Sequence, residues 1–254
     1  MKVSKRQAKL VEIVRKNEKV SVEVLATRLE TSRETIRRDL TELGKTGKIQ
    51  KVHGGAIVPK VFGEGSFQER LSMNVEAKVR VARKAAEFVQ PHETLFINTG
   101  STSYYFAEEL AQKSNLTIVT NSAENARLVS TAKSGNHTFL LGGEYIAGNR
   151  QTLGSMVTAQ VAAFRAHHCV LTIGALDCQS GLMEFGHEEA ELAAAMADQA
   201  EALMVLADRS KFNALASFKV CPLGRITRLI CDAMPPGDIA DEIADQGGEI
   251  ILAD

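Results

Sequence analysis

A short segment near the amino terminus, TSRETIRRDL at residues 31–40, has the residue types and spacing of a surface that binds a polyanion. Its ten positions include three arginines, Arg33, Arg37 and Arg38. Arginine binds phosphate, and it can also donate two hydrogen bonds to guanine in the major groove of DNA. The segment therefore indicates contact with a nucleic acid, although the sequence does not assign which arginine contacts phosphate and which contacts a base.

The charge of the chain is divided by position in a way that supports this interpretation. Residues 1–60 carry 15 basic and seven acidic side chains, a net charge of +8, whereas residues 61–254 carry −9, and the whole chain carries −1. A basic module attracts polyanions, and an acidic body resists nonspecific adhesion to them. The alternative, a charged face that is merely solvated, is less consistent with so complete a separation.

A second group of segments has the chemistry of a small-anion site. Hydroxyl, amide and small residues follow apolar runs in NTGSTS (98–103) and TNSAEN (120–125), and DRSKF (208–212) follows a third such run. A helix amino terminus stabilises an oxyanion through its free N–H groups and its dipole, and Lys211 would add a cation. Each segment alone is more typical of ordinary helix capping, but three in one chain favour a site for an anionic small molecule.

The elements that position the first group are three short helices. The first ends near Asn17, the second has Ser21 as its N-cap, and the third begins at Thr31, with Glu34 completing a capping box. Apolar residues of the third helix recur at i, i+4 and i+7 and should pack inward: Ile36, Leu40 and Leu43. Two helices joined by a short turn predict a helix-turn-helix, with the third helix in the major groove.

Two sets of residues are the candidate DNA contacts. The exposed face of the third helix contributes Ser32, Arg33, Thr35, Arg37 and Arg38. The segment GKIQKVHGGAIV, which follows, predicts two short strands folded into a wing, and its candidates are Lys48, Lys51, His53, Gly54 and Gly55. The predicted partner is double-stranded operator DNA.

The remainder of the chain predicts an α/β domain. We expect a winged helix-turn-helix at residues 1–58, a linker at 59–73 and the α/β domain at 74–254, which opens with a helix from about Val75 to Val89. Seven apolar runs predict buried strands: 94–98, 116–120, 138–142, 169–174, 202–207, 228–231 and 249–253. Helical patterns lie between most of them: 102–113, 122–133, 187–200 and 236–246. This alternation predicts a doubly wound, mainly parallel sheet whose ligand site lies at the carboxyl ends of the strands.

Several classes of protein are disfavoured by the sequence. No apolar run is long enough for a membrane span, and the amino terminus lacks the apolar stretch of a secretory signal, so we expect a cytoplasmic protein. The four cysteines lack metal-ligand spacing, and neither the pair His167 and His168 nor His187 has the partners of a zinc site. We therefore expect no metal and no cofactor.

The segment SRETIRRDLTELGKTGKIQKVHGGA resembles the winged helix of the DeoR family of bacterial transcriptional regulators, through its TIRRDL core and its HGGA closure. LFINTGST, IVTNS, LGGEY, GLMEF, LADRSKF and LICD are similar to the effector-sensing domain of the same family, so the resemblance covers nearly the whole chain. GLMEF and the His-Glu pair after it look most similar to the glycerol-3-phosphate regulon repressors.

The resemblance implies a fold similar to ribose-5-phosphate isomerase and a phosphorylated sugar or polyol as effector. The implied effector residues are Asn98, Gly100, Ser101, Thr102, Asn121, Ser122 and Lys211, with Asn98 standing where many relatives carry aspartate.

An isomerase is the main alternative to a regulator. Sugar-phosphate isomerisation needs a carboxylate base and a group that stabilises an enediolate, for which Asp177, Glu184 and Lys211 are candidates. Asp177 and Glu184 could instead bind ligand hydroxyls or lie in a solvated loop. We include them in the effector site as residues that bind hydroxyls. We favour a regulator without catalytic residues, and we place a nonspecific architectural DNA protein last. We expect a homo-oligomer, a dimer or tetramer, because one small module rarely gives enough specificity.

Overall fold

The structure, a computed structural model, describes residues 3–17, 19–45, 50–52, 54–57, 65–132 and 134–254. The chain divides into two compact units between residues 61 and 62. Within the described ranges, no helix is both long and apolar enough to cross a bilayer.

The first unit is a helix-turn-helix with a three-stranded sheet. Its elements are α1 (Val3–Asn17), β1 (Lys19–Ser21), α2 (Val22–Arg28), α3 (Arg33–Lys45), β2 (Gln50–Val52) and β3 (Gly55–Ile57). β3 pairs antiparallel with both β1 and β2. The predicted helices and wing are confirmed, and β1 is an additional strand that the sequence did not suggest because only three residues form it.

The core of the first unit consists of the apolar stripes of its helices. Fully buried side chains from all three helices meet there: Leu10, Val14, Leu25, Ile36 and Leu40. Leu43 is also buried, so the predicted inward face of α3 is confirmed. This packing leaves the opposite face of α3 exposed.

The starts of α2 and α3 each depend on a serine. Ser21 caps α2 by accepting a hydrogen bond from Val24 N, as predicted. The predicted cap of α3 was wrong by one residue. The helix starts at Arg33, and Ser32 Oγ accepts a hydrogen bond from Thr35 N, so Ser32 rather than Thr31 takes the capping role. Either hydroxyl residue could serve as a cap, so the local sequence alone does not choose between them.

The second unit contains seven α-helices among its described residues: α4 (Phe67–Ser72), α5 (Val75–Ala86), α6 (Ser101–Leu110), α7 (Ala123–Thr131), α8 (Ser155–Val161), α9 (His187–Asp198) and α10 (Gly237–Asp245). α4 lies inside the segment predicted as the linker. A capping box between Ser66 and Glu69 starts this helix, and burial of Phe67 anchors it. Six residues are too few to give a helical period in the sequence, and α5 ends at Ala86, earlier than predicted.

The strands of the second unit are β4 (Thr94–Ile97), β5 (Thr117–Thr120), β6 (His137–Leu140), β7 (Glu144–Ile146), β8 (Gln151–Leu153), β9 (Ala166–Thr172), β10 (Ala175–Asp177), β11 (Gly181–Glu184), β12 (Ala200–Ala207), β13 (Phe218–Cys221), β14 (Arg228–Cys231) and β15 (Glu249–Leu252). Seven of them form one parallel sheet in the order β15-β14-β12-β9-β4-β5-β6. These seven are the strands that the apolar runs predicted. The strands outside this sheet, which form a hairpin and a small antiparallel sheet, were not predicted.

The strand order reverses between β4 and β9. The chain proceeds from β4 through β5 to β6 in one direction, and from β9 through β12 and β14 to β15 in the other. Helices cover both faces: α5, α6 and α7 contribute to one buried cluster, and α8, α9 and α10 to another. The doubly wound fold class is therefore confirmed. Ligands of such sheets bind in the crevice outside the carboxyl ends of the strands at the reversal point.

Candidate functional site

The exposed face of α3 carries the side chains that were predicted to contact DNA. Ser32, Arg33, Arg37 and Arg38 are exposed, and Thr35 is half-buried. The Ser32 and Thr35 hydroxyls also hydrogen-bond to each other at 2.8 Å. Arg33 and Arg37 lie 3.6 Å and 3.9 Å from the carboxylates of Glu23 and Glu34; exposed pairs of this length contribute little to stability. Both arginines can therefore exchange these partners for phosphate at low cost.

The described part of the wing is tied to α3 and to β1. Lys51 Nζ donates a hydrogen bond to Thr41 Oγ1 at 3.2 Å, which links β2 to α3. Gly54 has a φ of +78°, a conformation that favours glycine. A Cβ on Gly55 would overlap the carbonyl oxygen of Val20. Lys48 and His53, two further predicted contacts, lie outside the described residues.

A partly buried ion pair between Arg6 and Asp39 fixes α3 against α1, and it was not predicted. Arg6 Nε lies 2.6 Å from Asp39 Oδ2, and a second Arg6 nitrogen and Gln7 Nε2 each donate to Asp39 Oδ1 at 3.2 Å. Asp39 is buried, and its hydrogen bond with Arg6 raises the pKa of the guanidinium. The pair joins positions 33 residues apart, so no local spacing could have revealed it.

The second unit has a polar cleft where β4 and β9 end. Seven of the residues that line it were predicted to bind the effector: Asn98, Gly100, Ser101, Thr102, Asn121, Glu184 and Lys211. The polar lining also includes residues that sequence reasoning missed: Arg70, Thr99, Gln151, Thr172 and Glu189. The cleft thus lies at the reversal point of the strand order and draws on at least eight separate segments of the chain.

Asn98 joins the ends of the two strands that flank the reversal point. Its Nδ2 donates to Thr172 O at 2.8 Å, and its Oδ1 accepts from Thr172 N at 2.8 Å. An aspartate at position 98 could accept but not donate, so it would lose the first of these bonds. The amide of Asn98 therefore shapes the cleft by holding β4 to β9.

Gly100 brings the amino terminus of α6 close to β9. A Cβ at this position would overlap Thr172 Oγ1 and lie 2.9 Å from Thr172 Cβ, so only glycine fits. Ser101 and Thr102 follow in the first turn, both buried, and α6 has no acidic residue there. The first N–H groups of a helix have no partner within the helix, so this terminus supplies donors and a positive dipole to the cleft.

A chain of amide and carboxylate groups forms another wall of the cleft. Asn121 Oδ1 accepts from Thr99 N at 3.1 Å, and Asn121 Nδ2 donates to Gln151 Oε1 at 3.3 Å. Gln151 Nε2 in turn donates to Glu189 Oε1 at 2.6 Å. Asn121 therefore positions the β4–α6 loop, while Glu189 ends the chain as an acceptor.

The cleft contains side chains of both charges. Arg70 from α4 and Lys211 from the 3₁₀ turn after β12 are its cations, and Glu184 from β11 and Glu189 from α9 are its carboxylates. An Arg70 nitrogen donates to Asn149 Oδ1 at 3.1 Å. A ligand that carries both an anionic group and hydroxyls would match this lining.

Two predicted effector residues do not line the cleft. Asp177 Oδ1 accepts from the backbone N–H groups of Gln179 and Ser180 and so caps the turn between β10 and β11. Ser122 Oγ accepts from Asn125 N and caps α7. Both oxygens are engaged by the local backbone, which is the common role of aspartate and serine in loops.

The histidine pair lies at the amino end of β9, away from the carboxyl end that forms the cleft. His167 Nδ1 accepts from Thr94 N at 3.0 Å, and His168 Nε2 lies 3.3 Å from Glu93 Oε2. Burial lowers the pKa of His168, although Glu93 opposes the shift. Within the ranges that the structure describes, no three His, Cys, Asp or Glu side chains are grouped as metal ligands.

A basic helix-turn-helix unit and an α/β unit with a polar cleft together define a DNA-binding regulator with a sensor domain. Two family profiles match the chain: the DeoR-like helix-turn-helix domain at residues 6–61 and the DeoR C-terminal sensor domain at residues 73–233. The chain belongs to the DeoR family of transcriptional regulators.

Similar proteins span nearly the whole chain. The glycerol-3-phosphate regulon repressor of Escherichia coli is 31% identical over 245 residues, which cover 96% of this chain and 97% of that protein. The transcriptional repressor CsqR of E. coli is 29% identical, covering 97% and 94%. The transcriptional regulator GolR of Listeria innocua is 30% identical and covers 89% of each chain.

Among solved structures, ribose 5-phosphate isomerase A of Methanocaldococcus jannaschii aligns with a TM-score of 0.41 and 17% identity over 54% of each chain. Similarity at this level is too low to assign an activity.

Proposed function

We propose that this chain represses a carbohydrate or polyol catabolic operon and that a phosphorylated sugar or polyol controls its binding to the operator. The observation that carries the proposal is the cleft at the carboxyl ends of β4 and β9. It combines a helix amino terminus without acidic residues, two cations and two carboxylates. The first two features suit a phosphate group, and the carboxylates suit hydroxyl groups.

Glycerol 3-phosphate is the first compound to test, because a relative similar over nearly its full length is named for the glycerol-3-phosphate regulon. The proposed mechanism uses a dimer or tetramer that presents paired helix-turn-helix units to repeated half-sites. Effector binding would favour a conformation in which these units no longer match the half-site spacing. By linkage, effector and operator then weaken each other's binding by the same factor.

A thermal-shift experiment on the full chain tests the effector. Glycerol 3-phosphate and other sugar and polyol phosphates are each compared with the unphosphorylated compound. A ligand at 100 times its Kd stabilises by roughly 2.7 kcal/mol, which corresponds to a Tm increase of about 5–10 °C in a domain of this size. If no phosphorylated compound raises Tm more than its unphosphorylated partner does, the proposed effector class is wrong.

The DNA-binding role is tested on duplexes that the full chain selects from a random pool. Loss of one phosphate contact should reduce the salt dependence of binding by about one unit of log–log slope. We expect a weaker complex for both Arg37→Ala and Arg38→Ala, with this loss of slope in the variant whose arginine contacts phosphate. Arg165→Ala, which removes an exposed arginine of the second unit, is the matched control. Unchanged affinity for both α3 variants at fixed salt would contradict the assignment of α3.

An isomerase remains the alternative for the cleft, because Glu184 and Lys211 lie in it together. The similar proteins are named as transcriptional repressors or regulators, which supports regulation instead. Turnover of sugar phosphates by the purified chain would favour the enzyme.

A further inference from the structure

We propose that Glu189 sets the specificity of the cleft, by accepting hydrogen bonds from ligand hydroxyls and by excluding ligands with a second phosphate. The inference rests on the proposed function, since it concerns the end of the effector that lies away from the phosphate. It assigns the phosphate of the ligand to the amino terminus of α6 and the hydroxyls to the amino terminus of α9.

Two helix amino termini contribute residues to the cleft, and they differ in charge. α6 packs on one face of the sheet and has no acidic residue in its first turn, whereas α9 packs on the other face and has Glu188 and Glu189 there. Glu189 lines the cleft, and Glu188 is exposed outside its lining. A carboxylate in the first turn neutralises the positive end of its helix and repels other anions. A phosphate is therefore directed to α6 and away from α9.

The carboxylate of Glu189 is held in place by two amides. Gln151 Nε2 and Asn149 Nδ2 donate to Glu189 Oε1 at 2.6 Å and 3.3 Å. Asn149 is itself held by Arg70, through the bond to Asn149 Oδ1. An ionised carboxylate has about four acceptor sites and no donor, so two bonds leave it able to accept from a ligand hydroxyl.

The same charge makes a second phosphate unfavourable. An anionic group placed beside a partly buried carboxylate is repelled, and the repulsion is stronger than in water. The cleft should therefore prefer a monophosphate with hydroxyls at its far end over the corresponding bisphosphate. Fructose 6-phosphate and fructose 1,6-bisphosphate differ by a single phosphate and serve as probes, together with glycerol 3-phosphate.

Titration calorimetry on the full chain measures Kd for each probe. For wild type we expect tighter binding of the monophosphates. Glu189→Gln keeps the size of the side chain and removes its charge. It should weaken monophosphate binding by about tenfold and shift the preference toward the bisphosphate by at least about tenfold. Glu188→Gln, the matched control one residue away and outside the cleft lining, should change both quantities far less than Glu189→Gln does.

A second variant separates charge from reach. Glu189→Asp keeps the negative charge but shortens the side chain, so the carboxylate no longer reaches the ligand hydroxyls. This variant should bind monophosphates more weakly and should still reject the bisphosphate. This variant also tests the inference if Glu189→Gln fails to fold. The inference is overturned if wild type binds monophosphates and either variant departs from its expected pattern. If wild type binds no phosphorylated probe, the proposed function itself has failed.

Discussion

Replacing Gly100 with alanine should destabilise the second unit and displace the β4–α6 loop that lines its cleft. The added Cβ would overlap Thr172 Oγ1 and lie 2.9 Å from Thr172 Cβ, so the β4–α6 loop must move away from β9. Because the φ of Gly100 is 178°, alanine is free of backbone strain there and the whole cost is steric. Overpacking of this kind costs about 1–3 kcal/mol, which lowers Tm by roughly 2–12 °C in a domain of this size.

Scanning calorimetry on the full chain gives the change in Tm, and calorimetric titration of glycerol 3-phosphate gives the change in affinity. Gly148→Ala is the matched control, because a Cβ there would meet nothing within 4 Å, and its effect should stay within about 0.5 kcal/mol.

The double variant Gly100→Ala/Thr172→Ala provides a stricter check. Alanine at position 172 removes the overlapping oxygen, so the double variant should be more stable than the sum of the two single effects predicts. A Gly100→Ala protein with wild-type Tm, or additive effects in the double variant, would refute the steric explanation.

Two further predictions concern stability. Leu40→Ala removes a fully buried side chain from the core of the small first unit, at a cost of about 2–5 kcal/mol. The variant should therefore lose DNA binding, while calorimetry should show an unchanged melting transition for the second unit. Burial lowers the pKa of His168, so this imidazole binds a proton more readily in the unfolded chain than in the folded one. The free energy of unfolding should therefore fall as the pH decreases below about 6.5. Urea titrations at several pH values should show a smaller fall for His168→Asn than for wild type, and His187→Asn, at an exposed histidine, serves as the control.

The sequence predicted the large sheet well because of where its strands lie. Parallel strands covered on both faces are continuous apolar runs, and such runs are visible without any alignment. β7 and β8 are only three residues each, and β7 is largely exposed, so neither gives a comparable signal. The single-residue error in the cap of α3 has a local origin, because Thr31 and Ser32 are both good caps and the sequence does not distinguish them.

The sequence predicted only some of the residues that line the cleft. Gly100, Ser101 and Thr102 form one contiguous loop after a strand, so their meeting at a helix amino terminus follows from the local sequence. Arg70 and Glu189 come from elements distant in the chain, and only the tertiary fold brings them to the same cleft. No spacing rule could have paired them.

The anchoring of α4 determines where the sensor unit can be separated from the rest of the chain. Lys78 is buried, and its ammonium group donates hydrogen bonds to Arg70 O and Met73 O, while the Tyr105 hydroxyl donates to Leu71 O at 2.9 Å. A fragment that began at residue 74, the domain boundary suggested by the sequence, would deprive a buried cation of both carbonyl acceptors and uncover the pocket filled by Phe67. A recombinant sensor fragment for crystallisation or ligand screening should therefore begin ahead of Ser66.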